Sequence, residues 1–363
     1  MSRLAAECNA INLAQGYPDF GPDETLLTSL ESVLRGNHHQ YSLPEGARSL
    51  RQAVGEMFAI LYNCYIDSES EITITAGATQ AIFATISSLI HAGDEVIYMA
   101  PAFECYAPAI ILAGGTPSCV QLQAPGFAID WNQVEKQIVS RTRMIIVNSP
   151  HNPSGRCWNS EDLDSLADIA ERHDLLVLSD EVYHNITYAG RRHLTAFEHP
   201  RLRDRSIVVG SLGKTMHVTG WRIGYAISGA RMTSELRKIL LFNTYAAPTP
   251  LQHAMATTLA SRDSYLGLPA LFQRKRDMLL EGLGASRFQF DATQGTYFQM
   301  LDYSAISGMA DVDFVRFLAS THGVAAIPLS GFGKAYLDSR LIRLCFAKQD
   351  QTLLNAVELL GKV

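Results

Sequence analysis

Ser206-Ile207-Val208-Val209-Gly210-Ser211-Leu212-Gly213-Lys214-Thr215 decides how the rest of the chain is read. Three consecutive β-branched residues without polar alternation suit a strand covered on both faces, the situation of a parallel sheet. The run stops at once in glycines, hydroxyls and a single lysine. Three other stretches have the same form. Ile72–Thr75 ends in Ala76-Gly77-Ala78-Thr79-Gln80, and the run 144–147 ends in Asn148-Ser149-Pro150-His151-Asn152-Pro153-Ser154-Gly155. The run 175–178 ends in Ser179-Asp180-Glu181-Val182-Tyr183. In open parallel α/β sheets, ligands sit outside the carboxyl ends of the strands. Four such clusters at one sheet edge make a composite site; one alone is an ordinary turn.

Outward from these runs, short apolar stretches alternate with longer amphipathic ones, the pattern of βαβ units and a mostly parallel sheet. Strands are expected over 71–75, 95–99, 116–121, 144–148, 175–179, 206–210 and 223–228. Helices are expected over 78–91, 105–113 and 161–173, the last with Ser160 as N-cap. From Ala230 to Arg276 the pattern is helical, broken at Pro248, Pro250 and 267–269. Beyond about Phe288 strands return (297–301, 324–327, 341–346) among helices, closing with a helix over 351–360. That change predicts a smaller α+β domain beside the α/β one.

The bulk composition excludes more than it identifies. A chain of 363 residues fits roughly two domains. A formal net charge of −6 leaves no basic face for nucleic acid. No apolar run approaches the ~18 residues of a membrane span. An acid, Glu7, stands where a signal peptide would be apolar. The six cysteines are scattered, without a Cys-x-x-Cys pair, so reduced thiols and a cytoplasmic location are expected, and no metal.

The lysine cluster admits other readings. A phosphate-binding loop needs a glycine at position 208, where Val208 stands. Ser211-Leu212-Gly213-Lys214 fits the Ser-x-x-Lys of serine acyl enzymes, but the companion motifs are only near-misses at Ser179-Asp180-Glu181 and Lys214-Thr215-Met216. Gly77-Ala78-Thr79 is either a plain strand-to-helix turn or an anion site at a helix N-terminus. Asp180 is a cap, a surface acid, or a carboxylate at the end of a buried strand; the last requires a cationic partner.

Taken in order, these residues resemble the class I aminotransferases of fold type I, the pyridoxal-phosphate enzymes. The likeness runs from about Ala10 to the C-terminus. It is carried by Ser211 to Tyr225, by Asn148 to Gly155, and by Ser179 to Tyr183. Ile11 to Phe20, Gly295 to Phe298, Gly323 to Ser330 and Leu341 to Ala347 look most like the methionine aminotransferases and the related kynurenine/glutamine transaminases. The resemblance implies an α/β three-layer sandwich with a mostly parallel central sheet plus a smaller α+β domain. Residues 37–260 would form the large cofactor-binding domain, and 1–36 with 261–363 the small one. Relatives carry a longer N-terminal arm, so weaker site closure is expected where this chain begins near Gly16.

The resemblance also implies roles. Lys214 would hold pyridoxal 5′-phosphate as a Schiff base and act as general base and acid. Asp180 would keep the ring nitrogen protonated, while Tyr183 and Asn152 donate to the phenolate oxygen. Gly77, Ala78, Thr79, Ser211 and Arg222 would hold the phosphate, joined by Tyr41 from a second subunit. Phe103 would stack on the ring. Arg343 would grip the substrate α-carboxylate, with Gly16 and Asn152 close to it. Tyr17, Phe103, Tyr106 and Tyr245 would line an apolar side-chain pocket. The expected reaction is transamination between an L-amino acid (methionine or aromatic/glutamine preferred) and a 2-oxo acid, in a homodimer. The alternatives are a cysteine-conjugate β-lyase and a regulator without turnover.

Overall fold

The computed structural model describes residues 1–337 and 339–363. A short strand, β1 (Ile11–Asn12), precedes the strands of the main sheet. These are β2 (Ile72–Thr75), β3 (Glu95–Ala100), β4 (Thr116–Gln121), β5 (Thr142–Asn148), β6 (Leu176–Asp180), β7 (Ser206–Ser211) and β8 (Gly224–Ser228). Their order is β2-β8-β7-β6-β5-β3-β4. Only β8 runs against its neighbours; the β7–β6–β5–β3–β4 pairs are all parallel. Strands β7 and β8 are buried at every residue and β6 at all but Leu176, which is why their sequences carry no polar alternation. Helices flank the sheet, giving the expected α/β sandwich.

Each run of the first paragraph therefore delivers its polar cluster to the carboxyl edge: Thr75, Asn148, Asp180 and Ser211 end β2, β5, β6 and β7. The order also contains a switch point, because β4 and β5 leave β3 on opposite sides.

The helix Ser160–Arg172 begins one residue earlier than expected. Asn159, not Ser160, is its N-cap, in a reciprocal box with Asp162. The helical stretch after 230 resolves into Ala230–Asn243, Thr249–Leu259, Asp263–Leu266 and Leu268–Leu283, the last running beyond Arg276.

In the C-terminal part, β9 (Phe298–Asp302), β10 (Val324–Ala325), β11 (Ile327–Pro328) and β12 (Leu341–Cys345) form two small sheets. The order β11-β12-β9 is antiparallel, whereas β10 pairs in parallel with β1. The stretch 324–327, expected as one strand, is thus two that serve different sheets on either side of Ala326. One apolar core runs through both parts, from Phe58, Ile145 and Val177 to Phe314, Leu344 and Leu360. Among the described residues no helix is long and apolar enough to cross a membrane, and no His/Cys/Asp/Glu group is arranged to hold a metal.

Candidate active site

Asp180, last residue of β6, is 3% exposed and forms no ion pair among the described residues. Its Oδ2 accepts the Tyr106 hydroxyl at 2.5 Å. Burial pushes its pKa up to about 6, against the pull of that hydrogen bond. Asn148 ties two of the clusters together. Its Nδ2 donates to the Asp180 carbonyl at 2.7 Å, and its Oδ1 accepts the Asn152 amide at 2.8 Å. The turn after β5 is thereby held against the end of β6. His151 secures the other side of that turn, with Nε2 on the Pro101 carbonyl at 2.9 Å and Nδ1 on Ser154 Oγ at 2.6 Å. Burial lowers its pKa to about 4. A carbonyl only accepts, so the neutral ring carries its proton on Nε2.

Lys214 sits on the short helix Leu212–Thr215 that follows β7. Its Nζ donates to the Gly16 carbonyl at 3.1 Å and lies 5.8 and 5.7 Å from the ring centroids of Tyr183 and Tyr297. Burial brings its pKa down to about 8; Arg222 and Arg343 act in the same direction, while Cys345 and Asp180 oppose them. An amine so tuned is a competent nucleophile and base near neutral pH. Tyr183 is buried, edge-on to Tyr297 and Phe298, and burial pushes its hydroxyl pKa up.

Arg343, in the middle of β12, is 6% exposed yet has no carboxylate partner among the described residues. Nη1 donates to Asn152 Oδ1 at 2.7 Å and Nη2 to the Ala14 carbonyl at 3.0 Å, while Nε has no partner. The guanidinium carbon stands over the rings of Phe298 (3.8 Å) and Phe332 (4.8 Å). A desolvated, flat, unneutralised fork is suited to a carboxylate. Gly16 is two residues beyond the Ala14 carbonyl that Arg343 holds, and a Cβ on it would come within 2.8 Å of Phe298 Cζ.

The helix Ala78–Leu89 starts after Gly77 without a side-chain cap. Gly77 has φ +81°, and a Cβ on it would meet Arg222 Nη2 at 2.5 Å. Gly224 clears the same corner, since its Cβ would meet Ala78 N at 2.6 Å. Free helix N–H groups, a guanidinium and the end of β7 at Ser211 make an anion cradle.

Lys214, Asp180, Tyr183, Asn152, Arg343 and Gly16 thus come together, with the Gly77–Arg222 corner beside them, whereas Tyr41, Tyr245 and Tyr106 do not stand where they were expected. Tyr41 is 83% exposed, its ring edge-on to Tyr245 at 5.2 Å. Tyr106 does not line a side-chain pocket: it is buried and serves Asp180, with Phe103 edge-on at 6.0 Å. Sequence reasoning also missed Tyr297, whose hydroxyl donates to the Gly16 carbonyl at 2.7 Å.

A mostly parallel sheet with a buried lysine, an aspartate without a salt bridge among the described residues and an anion cradle at its carboxyl edge is the framework of a group-transfer enzyme. Residues 9–360 match the family described as aminotransferase class I and II, and the chain belongs to that family and is an aminotransferase. It is 43% identical to a methionine aminotransferase of Escherichia coli, over 100% of this chain and 94% of the relative. It is 33% identical to the human kynurenine–oxoglutarate transaminase 3, over 99% and 86%. An Escherichia coli crystal structure described as a methionine aminotransferase superposes with a TM-score of 0.98 at 42% identity, covering 100% of this chain and 95% of the other.

Proposed function

We propose that this aminotransferase moves the amino group of an L-amino acid, with methionine or aromatic/glutamine donors preferred, to a 2-oxo acid, with pyridoxal 5′-phosphate as cofactor at Lys214. The carrying observation is a lysine of lowered pKa that feels both Asp180 and Arg343, a buried carboxylate and a buried guanidinium, the last two without a salt-bridge partner among the described residues. Each unmet charge matches one part of such a system. The corner at Gly77, which a Cβ would fill, fits the phosphate.

Bound there, the cofactor supplies an aldehyde for the amine and a protonated ring that withdraws electrons from the substrate Cα. Asp180 would keep the proton on the ring nitrogen; the Tyr106 hydroxyl and the Val182 amide fix where that carboxylate points, and Asn148 holds the Asp180 backbone carbonyl. Asn152 offers its Oδ1 to Arg343, which leaves its Nδ2 as the donor to the ring oxygen, beside Tyr183. The Ala78 and Thr79 amides, Ser211 and Arg222 take the phosphate. Arg343 would hold the substrate carboxylate in a fork and so fix the orientation of the Cα–H bond. Lys214 Nζ would take the Cα proton as general base.

Tyr41 completes the phosphate site from a second copy of the chain. The exposed Tyr41, Leu43, Phe242 and Tyr245 support such a homodimer. The main sheet within 72–228 supports assigning 37–260 to the cofactor-bearing part and the remainder to a smaller one.

A screen of amino donors against several 2-oxo acids tests the reading. Methionine and aromatic donors should lead. Exclusive use of acidic donors, or release of pyruvate and ammonia from cysteine conjugates without an oxo acid, would overturn the proposed specificity or reaction.

A further inference from the structure

The segment after β1 has almost no regular structure, yet five of the seven carbonyls from Leu13 to Asp19 are captured by groups from far along the chain. Leu13 O accepts the Cys345 amide at 2.7 Å, and Ala14 O accepts Arg343 Nη2 at 3.0 Å. Gly16 O accepts both Lys214 Nζ and Tyr297 Oη. Tyr17 O accepts Lys348 Nζ at 2.8 Å, and Asp19 O accepts Gln349 Nε2 at 3.2 Å. Three of these captors are cations. Two of the three, Arg343 and Lys214, are claimed by substrate and cofactor in the reaction proposed above. The third is not.

Lys348 is 3% exposed and has no carboxylate partner among the described residues. Its ammonium donates to the Tyr17 carbonyl and also stands 4.8 Å from the centroid of the Tyr17 ring. Its own backbone is anchored: its carbonyl accepts Lys275 Nζ at 2.6 Å, and Lys275 is paired with Asp350 at 2.9 Å. Desolvating an ammonium for a single acceptor is costly, and a hydrophobic residue would serve the core at least as well. What the charge adds is a two-point hold on one residue, its carbonyl by a charged hydrogen bond and its ring by a cation–π contact. That residue follows Gly16, whose carbonyl lies on the reactive amine.

We propose that Lys348 is a positioning residue for donor selectivity: it fixes Tyr17, backbone and ring, as one wall of the substrate side-chain site, while Arg343 and Lys214 are engaged in the reaction. The proposal rests on the transaminase reading for its substrate, not for its geometry.

The test compares wild type with Lys348→Met, which keeps length and burial, and places both changes in a cycle with Tyr17→Leu. In Lys348→Met the ratio of kcat/KM for methionine over alanine should fall about tenfold, through KM, with kcat for methionine within about twofold. Amide exchange over 14–19, measured without donor, should quicken in the same variant. In the Tyr17→Leu background Lys348→Met should change the ratio little, because the ring it holds is gone. An unchanged ratio with unchanged exchange overturns the proposal, and so does an additive cycle. Absence of transamination by the wild-type enzyme would instead defeat the functional reading, and exchange over 14–19 would still decide the role of Lys348.

Discussion

Asp180→Asn separates the needs of the fold from those of the reaction. In the protein without cofactor the Asp180 carboxylate is buried with no salt bridge among the described residues, and burial raises its pKa from 3.8 to about 6. The folded state therefore binds a proton more readily than the unfolded chain, so wild-type stability falls as pH rises from about 4 through 6. At 1.36 kcal/mol per unit, the shift costs about 3 kcal/mol at pH 8 and about half of that at pH 5. Asparagine carries no charge but still offers an oxygen to the Tyr106 hydroxyl, so the variant keeps the hydrogen bond and sheds the penalty. With about 2.1 cal/mol/K of unfolding entropy per residue, 3 kcal/mol is roughly 4 °C in a chain of this size. Thermal unfolding of cofactor-free protein should thus show the variant more stable by roughly 4 °C at pH 8 and by about half that at pH 5. Loaded with cofactor the order should reverse, and turnover should fall by several orders of magnitude. A cofactor-free variant less stable than wild type by the same amount at both pH values would refute the argument: Asp180 would then be a structural group with a partner of its own.

Three further outcomes follow from the same geometry. Tyr106→Phe removes the hydroxyl that holds the Asp180 charge, so cofactor affinity should drop more at pH 6 than at pH 8; titration showing equal losses would separate Tyr106 from Asp180. Gly77→Ala places a methyl 2.5 Å from Arg222 Nη2 at φ +81°, and by displacing that guanidinium, one charge-assisted bond, should weaken cofactor binding about tenfold or more; an unchanged dissociation constant would remove that corner from the phosphate site. Arg343→Lys exchanges a fork for a point charge, and losing one charge-assisted bond of about 1.5–3 kcal/mol predicts a kcat/KM roughly 10–150-fold lower for amino-acid donors; wild-type kinetics would take Arg343 out of substrate binding.

The main sheet was legible because its strands are uninterrupted apolar runs, and such runs have one stable home. The direction of β8 was not: Gly224–Ser228 looks the same whichever way it enters. Asn159 and Ser160 are both capping residues, and only the reciprocal bonds to Asp162 tell them apart. Of the site, Lys214 and Asp180 were visible because each lies in a polar cluster that ends a buried apolar run, whereas Arg343 was placed only by the family resemblance. Tyr106 was visible as an aromatic but misassigned, since its use depends on a contact across 74 positions. Lys348 gave no signal, because a lysine between a strand and a helix is ordinarily solvated; only its burial singles it out.

Reduction of the loaded enzyme with borohydride, followed by peptide mapping, tests the centre of the account. One pyridoxyl group per chain should be found on Lys214, and Lys214→Ala should carry none. A label on another lysine, or a fully active enzyme that takes up no label, would contradict it.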